Sequence, residues 1–225
     1  MLTVLTAAIA GAVHVLSGPD HMAAVAPLAI EDRERSWLAG STWGLGHASG
    51  VAVVAAAAVL LRDLLPPLDV VSAWGERIVG GAQIGIGLWA LRRGLAVRST
   101  THTHGGATHT HLHVGRHLGF LRRAGHAHAA LAMGILHGVA GTSHFLGVLP
   151  ALALPTRGEA LTYVAVFGAS TVAAMTGFAA AVGAVSRQSA AHGRQAHRAL
   201  VVAGALVAIA VGGYWLVTGF TATHA

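Results

Sequence analysis

The sequence predicts an all-α, polytopic membrane protein whose six transmembrane helices form two inverted three-helix repeats. Three observations lead there. Of 225 residues, 54% are hydrophobic and 10% charged, and the mean hydropathy is +0.64; soluble domains hold about 25% charged residues. Six apolar runs each reach the roughly 20 residues that cross about 30 Å of hydrocarbon. A short polar pattern in the first half also recurs in the second. This composition excludes an ordinary soluble enzyme, a disordered regulator and a disulfide-stapled secreted module, and the length leaves no room for a separate soluble domain.

The first run, 3–30, holds His14, Asp20 and His21 and lacks a basic leading region, so it is expected to stay in place rather than be cleaved as a signal peptide. Gly18-Pro19 should interrupt it, because proline removes a backbone donor and clashes with the preceding turn. The second run, 37–61, carries Gly46-His47-Ala48-Ser49. The third, 70–91, offers Gly80, Gly81, Gly85 and Gly87 as a small-residue surface for close helix packing. These runs make a first repeat over 1–91. A loop over 92–128 follows, and 129–225 forms a second repeat with runs at 129–154, 159–185 and 199–220. Trp37, Trp74, Trp89 and Trp215 sit toward run ends, as interfacial aromatics do.

The repeat is visible in the polar residues. His14 and His21 are seven apart, as are His137 and His144, at an offset of 123. Gly46-His47-Ala48-Ser49 is answered by Gly168-Ala169-Ser170-Thr171 at an offset of 122. Three spans per repeat give the halves opposite topology, a plan that places a transport site near the midplane.

The net charge of +6 comes with fourteen basic residues, all arginine. Eleven of them fall in the loops after spans 1, 3 and 5. That is a topology signal rather than a nucleic-acid patch. It puts both termini outside and the 92–128 loop in the cytoplasm of a multi-pass cell-membrane protein.

An ionisable side chain at mid-bilayer costs about 2.5–3.5 kcal/mol on insertion scales and marks function by default. Counting along each run puts His14, Asp20, His21, His47, His137 and His144 near span centres. On an uninterrupted helix, His14 and His21 would share a face. For one such histidine, a structural bond between helices is the ordinary explanation. Five with one aspartate at matched depth point to a metal site instead. Imidazoles with a carboxylate suit Ni²⁺ or Co²⁺, and Zn²⁺ also fits; without cysteine, thiolate sites are excluded. The loop adds eight of the sixteen histidines within 27 residues, led by His102, His104, His109, His111, His113 and His117. Such tracts bind transition metals loosely while disordered, although a merely solvated linker has the same composition. No HExxH helix or positioned serine accompanies the cluster, so proteolysis is not expected.

These residues carry a resemblance. His14-Val-Leu-Ser-Gly-Pro-Asp20-His21, Leu45-Gly46-His47 and His137-Gly-Val-Ala-Gly are similar to motifs of the nickel/cobalt permeases. The nearest branch is the NicO/UreH-like one, with its efflux proteins and urease-accessory membrane proteins. The likeness covers the six-span plan and the His-rich loop. It departs from the best-known uptake permeases in having fewer spans and one more residue between His14 and Asp20. The resemblance implies that His14, Asp20, His21 and His47 bind the ion; His137 and His144 are added from their depth.

The expected function is alternating-access transport of a divalent transition-metal ion, Ni²⁺ or Co²⁺ foremost, and not an enzyme activity. Its partners would be the ion, membrane lipid and a cytosolic metallochaperone, with no prosthetic group; the sequence does not fix the oligomeric state. Two other classes fit less well. One is a non-transporting membrane accessory protein for metalloenzyme maturation, and the other an organic-ion carrier that uses the cluster as a proton relay.

Overall fold

Proline cannot donate to the carbonyl one turn back, and it pushes the residue before it out of helical geometry. The computed structural model of the protein shows both effects at Gly18-Pro19. Helix α1 (Leu2–Ser17) stops, Gly18 is extended at φ −88° and ψ 102°, and α2 (Pro19–Glu31) restarts with proline in its first turn. The two helices are bent by 71°. The expected interruption is therefore a complete break.

The structure describes residues 1–60, 68–95, 98–104, 107–113, 119–139, 150–151 and 153–221, with side chains within 1–56, 77–95, 127–139, 150–151 and 153–218. Helices α3 (Ser36–Leu60), α4 (Leu68–Leu95), α5 (Gly119–Val139), α6 (Arg157–Ala191) and α7 (Arg194–Thr221) bring the described helices to seven. The Thr156 hydroxyl caps α6 by accepting from the Glu159 N–H at 3.2 Å. Gly193, at φ 105°, turns the chain into α7 through a conformation that would strain other residues. By length and composition α6 and α7 can each cross a membrane, and the bent α1–α2 pair would make a third crossing.

Helix α5, Gly119–Val139, carries the first part of the fourth run, 129–154, and begins ten residues before it; 140–149 and 152 lie outside the described residues. Its early start follows from arginine and alanine, good helix formers, on the N-terminal side of the apolar stretch. The 92–128 loop is not wholly irregular. Strands β1 (Arg98–His104) and β2 (Ala107–His113) form an antiparallel hairpin, the one non-helical element among the described residues. Threonine favours strands, and Thr-His alternation has the strand period of two. His102 pairs with His109 and Thr100 with His111, so the positions of His102, His104, His109, His111 and His113 fall on one face of the ribbon.

Helix α1 packs on α6, α3 packs on α5 and α6, and α4 packs on α7. Small residues let these backbones approach. A Cβ at Gly134 would run into the Trp43 carbonyl, and one at Gly138 into the His47 carbonyl. Gly46 and Gly50 meet the backbone of α5 in the same way. On α4 the expected glycine surface is half right. Gly80 and Gly87, seven apart and on one face, abut α7, whereas Gly81 and Gly85 meet nothing within 4 Å among the described residues.

Side chains are distributed as lipid demands. Leu5, Ile9, Val13, Leu161, Leu206 and Val207 are exposed, while Asp20, His21, His47, Gln83, His137 and Thr171 are buried. Polar groups inside and apolar groups outside are what a hydrocarbon surround selects. Near one end of this interior, Arg93 of α4 bonds Glu31 of α2 at 2.8 Å and lies 5.3 Å from the centre of the Trp89 ring. Trp89 is thus a packing partner rather than a simple interfacial anchor. Truncating one member of a fully buried pair costs about 3–5 kcal/mol and replacing both members is far milder; this pair is half-buried, so the same asymmetry applies at a smaller cost. Arg93→Ala should therefore lower the melting temperature in detergent, and Glu31→Gln with Arg93→Met should restore most of it.

Candidate metal centre

The break at Gly18 builds the first half of the site. His14 lies in the last turn of α1 and Asp20 and His21 in the first turn of α2. On an uninterrupted helix His14 and His21 would share a face; with the expected interruption in place, they meet because the chain bends between them. The His14 and His21 rings are 4.6 Å apart and nearly perpendicular. Gly18 is needed at the corner, since a Cβ there would strike the His21 ring and come within 2.8 Å of Asp20 Oδ1.

The second half comes from the glycine-lined crossing of α3 and α5. His47 lies between Gly46 and Gly50, and His137 between Gly134 and Gly138, so the closest approach of the two backbones delivers both imidazoles. The His21 ring is 4.9 Å from His47 and 4.8 Å from His137. His14 is partly exposed, while Asp20, His21, His47 and His137 are at most 3% exposed.

The contacts fall into two sets. His14 Nε2 lies 3.2 Å from His21 Nε2 and 3.4 Å from His47 Nε2. On the other side of His21, its Nδ1 is 3.1 Å from Asp20 Oδ1, and His137 Nε2 is 2.7 Å from Asp20 Oδ2. A carboxylate oxygen only accepts, so His21 Nδ1–H and His137 Nε2–H are the donors. With its proton on Nδ1, His21 turns the lone pair of Nε2 toward His14 and His47. A carboxylate behind a ligating imidazole is the usual device for fixing tautomer and orientation. Each set could hold a metal ion: His14, His21 and His47 in one, and Asp20, His21 and His137 in the other. With nitrogen–metal bonds of about 2.0–2.1 Å, tetrahedral geometry puts nitrogens roughly 3.3 Å apart, close to the two distances from His14 in the all-imidazole set.

The structure thus gathers His14, Asp20, His21, His47 and His137 in one place. His144 and His117 lie outside the described residues, and His102, His104, His109, His111 and His113 are hairpin positions remote in sequence from the cluster. Two further residues were not singled out by the sequence. Trp43 is fully buried and stacks on His47 with centroids 5.0 Å apart and planes 6° from parallel. It sits one helical turn before His47, and that spacing was the available signal. Gln83, also fully buried, donates from Nε2 to the Asp20 carbonyl at 3.1 Å and so holds the start of α2. Its signal was an amide alone within the glycine-rich part of α4.

Comparison with known proteins gives three relatives. The chain is 33% identical over 206 residues to Chloroplast protein FOR GROWTH AND FERTILITY 2 of Arabidopsis thaliana, covering 90% of this chain and 53% of that protein. It is 33% identical over 185 residues to Chloroplast protein FOR GROWTH AND FERTILITY 1 of the same plant, covering 80% of this chain and 49% of that one. It therefore spans about half the length of these two relatives. It is also 29% identical over 187 residues to the Urease accessory protein UreH of Bacillus sp. (strain TB-90), covering 81% of this chain and 77% of that protein. No protein-family model and no solved structure matches. The likeness to UreH agrees with the broad resemblance carried by His14, Asp20, His21 and His47.

Proposed function

We propose, from this likeness and from the geometry of the cluster, that the chain is a membrane carrier rather than an enzyme. Its cargo is a divalent transition-metal ion, Ni²⁺ or Co²⁺, with Zn²⁺ as a competitor. The observation that carries the reading is the convergence of three imidazoles, with His14 Nε2 at 3.2 Å from His21 Nε2 and 3.4 Å from His47 Nε2 and all three ligand atoms within 4.8 Å of one another, backed by one buried carboxylate. Several imidazoles with a single carboxylate suit borderline metals and are poor for Mg²⁺ or Ca²⁺, which prefer oxygen shells.

In this reading the ion sheds water and binds at the cluster, and two three-helix halves, 1–91 and 129–225, rock about it to open each side in turn. The helix pairing supports such halves. Exchanging the first, second and third spans with the fourth, fifth and sixth turns the α1–α6 contact into α5–α3 and leaves the α3–α6 and α4–α7 contacts unchanged. Both termini face outside, and the hairpin lies in the cytoplasm. There its histidine face, with His117, collects the ion or passes it to a metallochaperone. His144, seven residues beyond His137, is a further ligand candidate.

Tracer nickel flux into proteoliposomes tests the proposal. Saturable flux is expected, suppressed by excess Co²⁺ and Zn²⁺ and indifferent to Mg²⁺ and Ca²⁺. Bound nickel without flux, in vesicles holding both orientations, would favour the second reading of a non-transporting accessory protein. That reading draws its support from the likeness to UreH, a urease accessory protein.

A further inference from the structure

We propose that the cluster offers the ion two positions that share His21, and that the tautomer of this one imidazole decides which position is open. The inference rests on the metal-carrier reading and adds how the ion moves within the site.

The two donor sets meet at a single residue and use opposite sides of it. His21 directs Nε2 to His14 and Nδ1 to Asp20, at 3.2 and 3.1 Å. A neutral imidazole has one protonated nitrogen and one free lone pair, so it can ligate only one of two ions on opposite sides. Because the Asp20 carboxylate can only accept, its 3.1 Å contact assigns the proton to Nδ1 and leaves the lone pair on Nε2. His14 Nε2, 3.2 Å from His21 Nε2 and 3.4 Å from His47 Nε2, is then the donor within the first set, so an ion entering there needs only the His14 proton moved to Nδ1, whereas the second position is closed by both hydrogen bonds of Asp20.

Opening the second position moves protons without gaining or losing any. The His21 proton passes from Nδ1 to Nε2, and that of His137 from Nε2 to Nδ1. Asp20 gives up two accepted hydrogen bonds and becomes a ligand beside His21 Nδ1 and His137 Nε2. The same shift puts an N–H on His21 where the first position needs a lone pair, so the first position is lost as the second forms. Repulsion acts in the same direction, because two divalent ions would share one carboxylate.

The positions are ordered by exposure. His14 is partly exposed, whereas every donor of the second set is buried. The set that holds the one partly exposed donor, His14, consists of three neutral imidazoles. An ion held there reaches the anionic, enclosed set only when His21 changes tautomer. The Gln83 amide holds the Asp20 carbonyl on the second side, so α2 keeps its start while the side chains rearrange.

The test uses the full chain with His102, His104, His109, His111, His113 and His117 replaced by asparagine, loaded with Co²⁺ in detergent. Ions per chain are counted, and imidazoles per ion are counted by X-ray absorption. The parent should bind one Co²⁺. His14→Gln should still bind one, now with two imidazoles; His137→Gln should bind one with three. His21→Gln should weaken binding at least a hundredfold. The proposal is overturned if His14→Gln and His137→Gln each abolish binding, which means one composite site, or if the parent binds two ions at the cluster. If His137→Gln does not fold, His14→Gln alone decides, through a two-imidazole site or none. A folded parent that binds no Co²⁺ overturns the carrier reading together with this one, so the two failures are distinguishable.

Discussion

Glutamine in place of His21 is expected to lower nickel flux by at least about a hundredfold, the largest effect of any single ligand change. Loss of even an outer partner of a metal site costs about 10–100-fold in affinity, and His21 belongs to both donor sets. Its ring also lies 5.4 Å from the Trp43 ring and close to those of His14, His47 and His137. Glutamine can still offer Asp20 a donor, so the carboxylate keeps a partner, but it cannot present a nitrogen lone pair to His14 and His47. Flux and Ni²⁺ affinity should fall together while the melting temperature changes little. A variant that retained more than a tenth of the parent flux would remove His21 from the ion's path.

Valine at Gly138 should be almost as damaging without touching a ligand. Its Cβ would run into the His47 carbonyl and come within 3.1 Å of Gly50 Cα. Backbone atoms cannot step aside as a flexible side chain can, so α3 and α5 must separate, and His47 and His137 ride on those two helices. Overpacking of this kind costs about 1–3 kcal/mol, and the separation pulls His47 away from His14 and His21. Melting temperature and Ni²⁺ affinity should both drop. Gly81→Ala and Gly85→Ala are the controls: a Cβ at either position meets nothing within 4 Å among the described residues, and alanine in a helix interior is favoured over glycine by roughly 0.5–1 kcal/mol.

How much of this was legible in the sequence depends on whether a feature is local. The α1–α2 break was, because Gly18-Pro19 acts through its own backbone. The polar residues were, because an ionisable group in an apolar run is costly wherever it packs. Which of them meet was readable only in part. Spacing brought His14 and His21 together for a reason that the bend replaced, and nothing in the chain pointed His47 at His137. That contact depends on two glycine pairs, Gly46 with Gly50 and Gly134 with Gly138, each with a histidine inside it; a small-xxx-small pattern gains meaning only once its partner helix is known. The more conspicuous glycine run on α4 is a weaker guide, since among the described residues only Gly80 and Gly87 of it pack on a neighbouring helix. Gln83 and Trp43 were missed because a buried amide and a buried indole look like ordinary core residues until their neighbours are seen. The hairpin was hidden by composition: a histidine-rich tract looks featureless, although Thr-His alternation already has the period of a strand.

Anomalous diffraction at the nickel edge, from the full chain crystallised with Ni²⁺, addresses the cluster most directly. The expected result is a peak among His14, His21 and His47, about 2.0–2.1 Å from their Nε2 atoms, with Asp20 behind His21. Nickel found only on the hairpin histidines, with the buried cluster still joined by its own hydrogen bonds, would contradict the assignment of the ion's site.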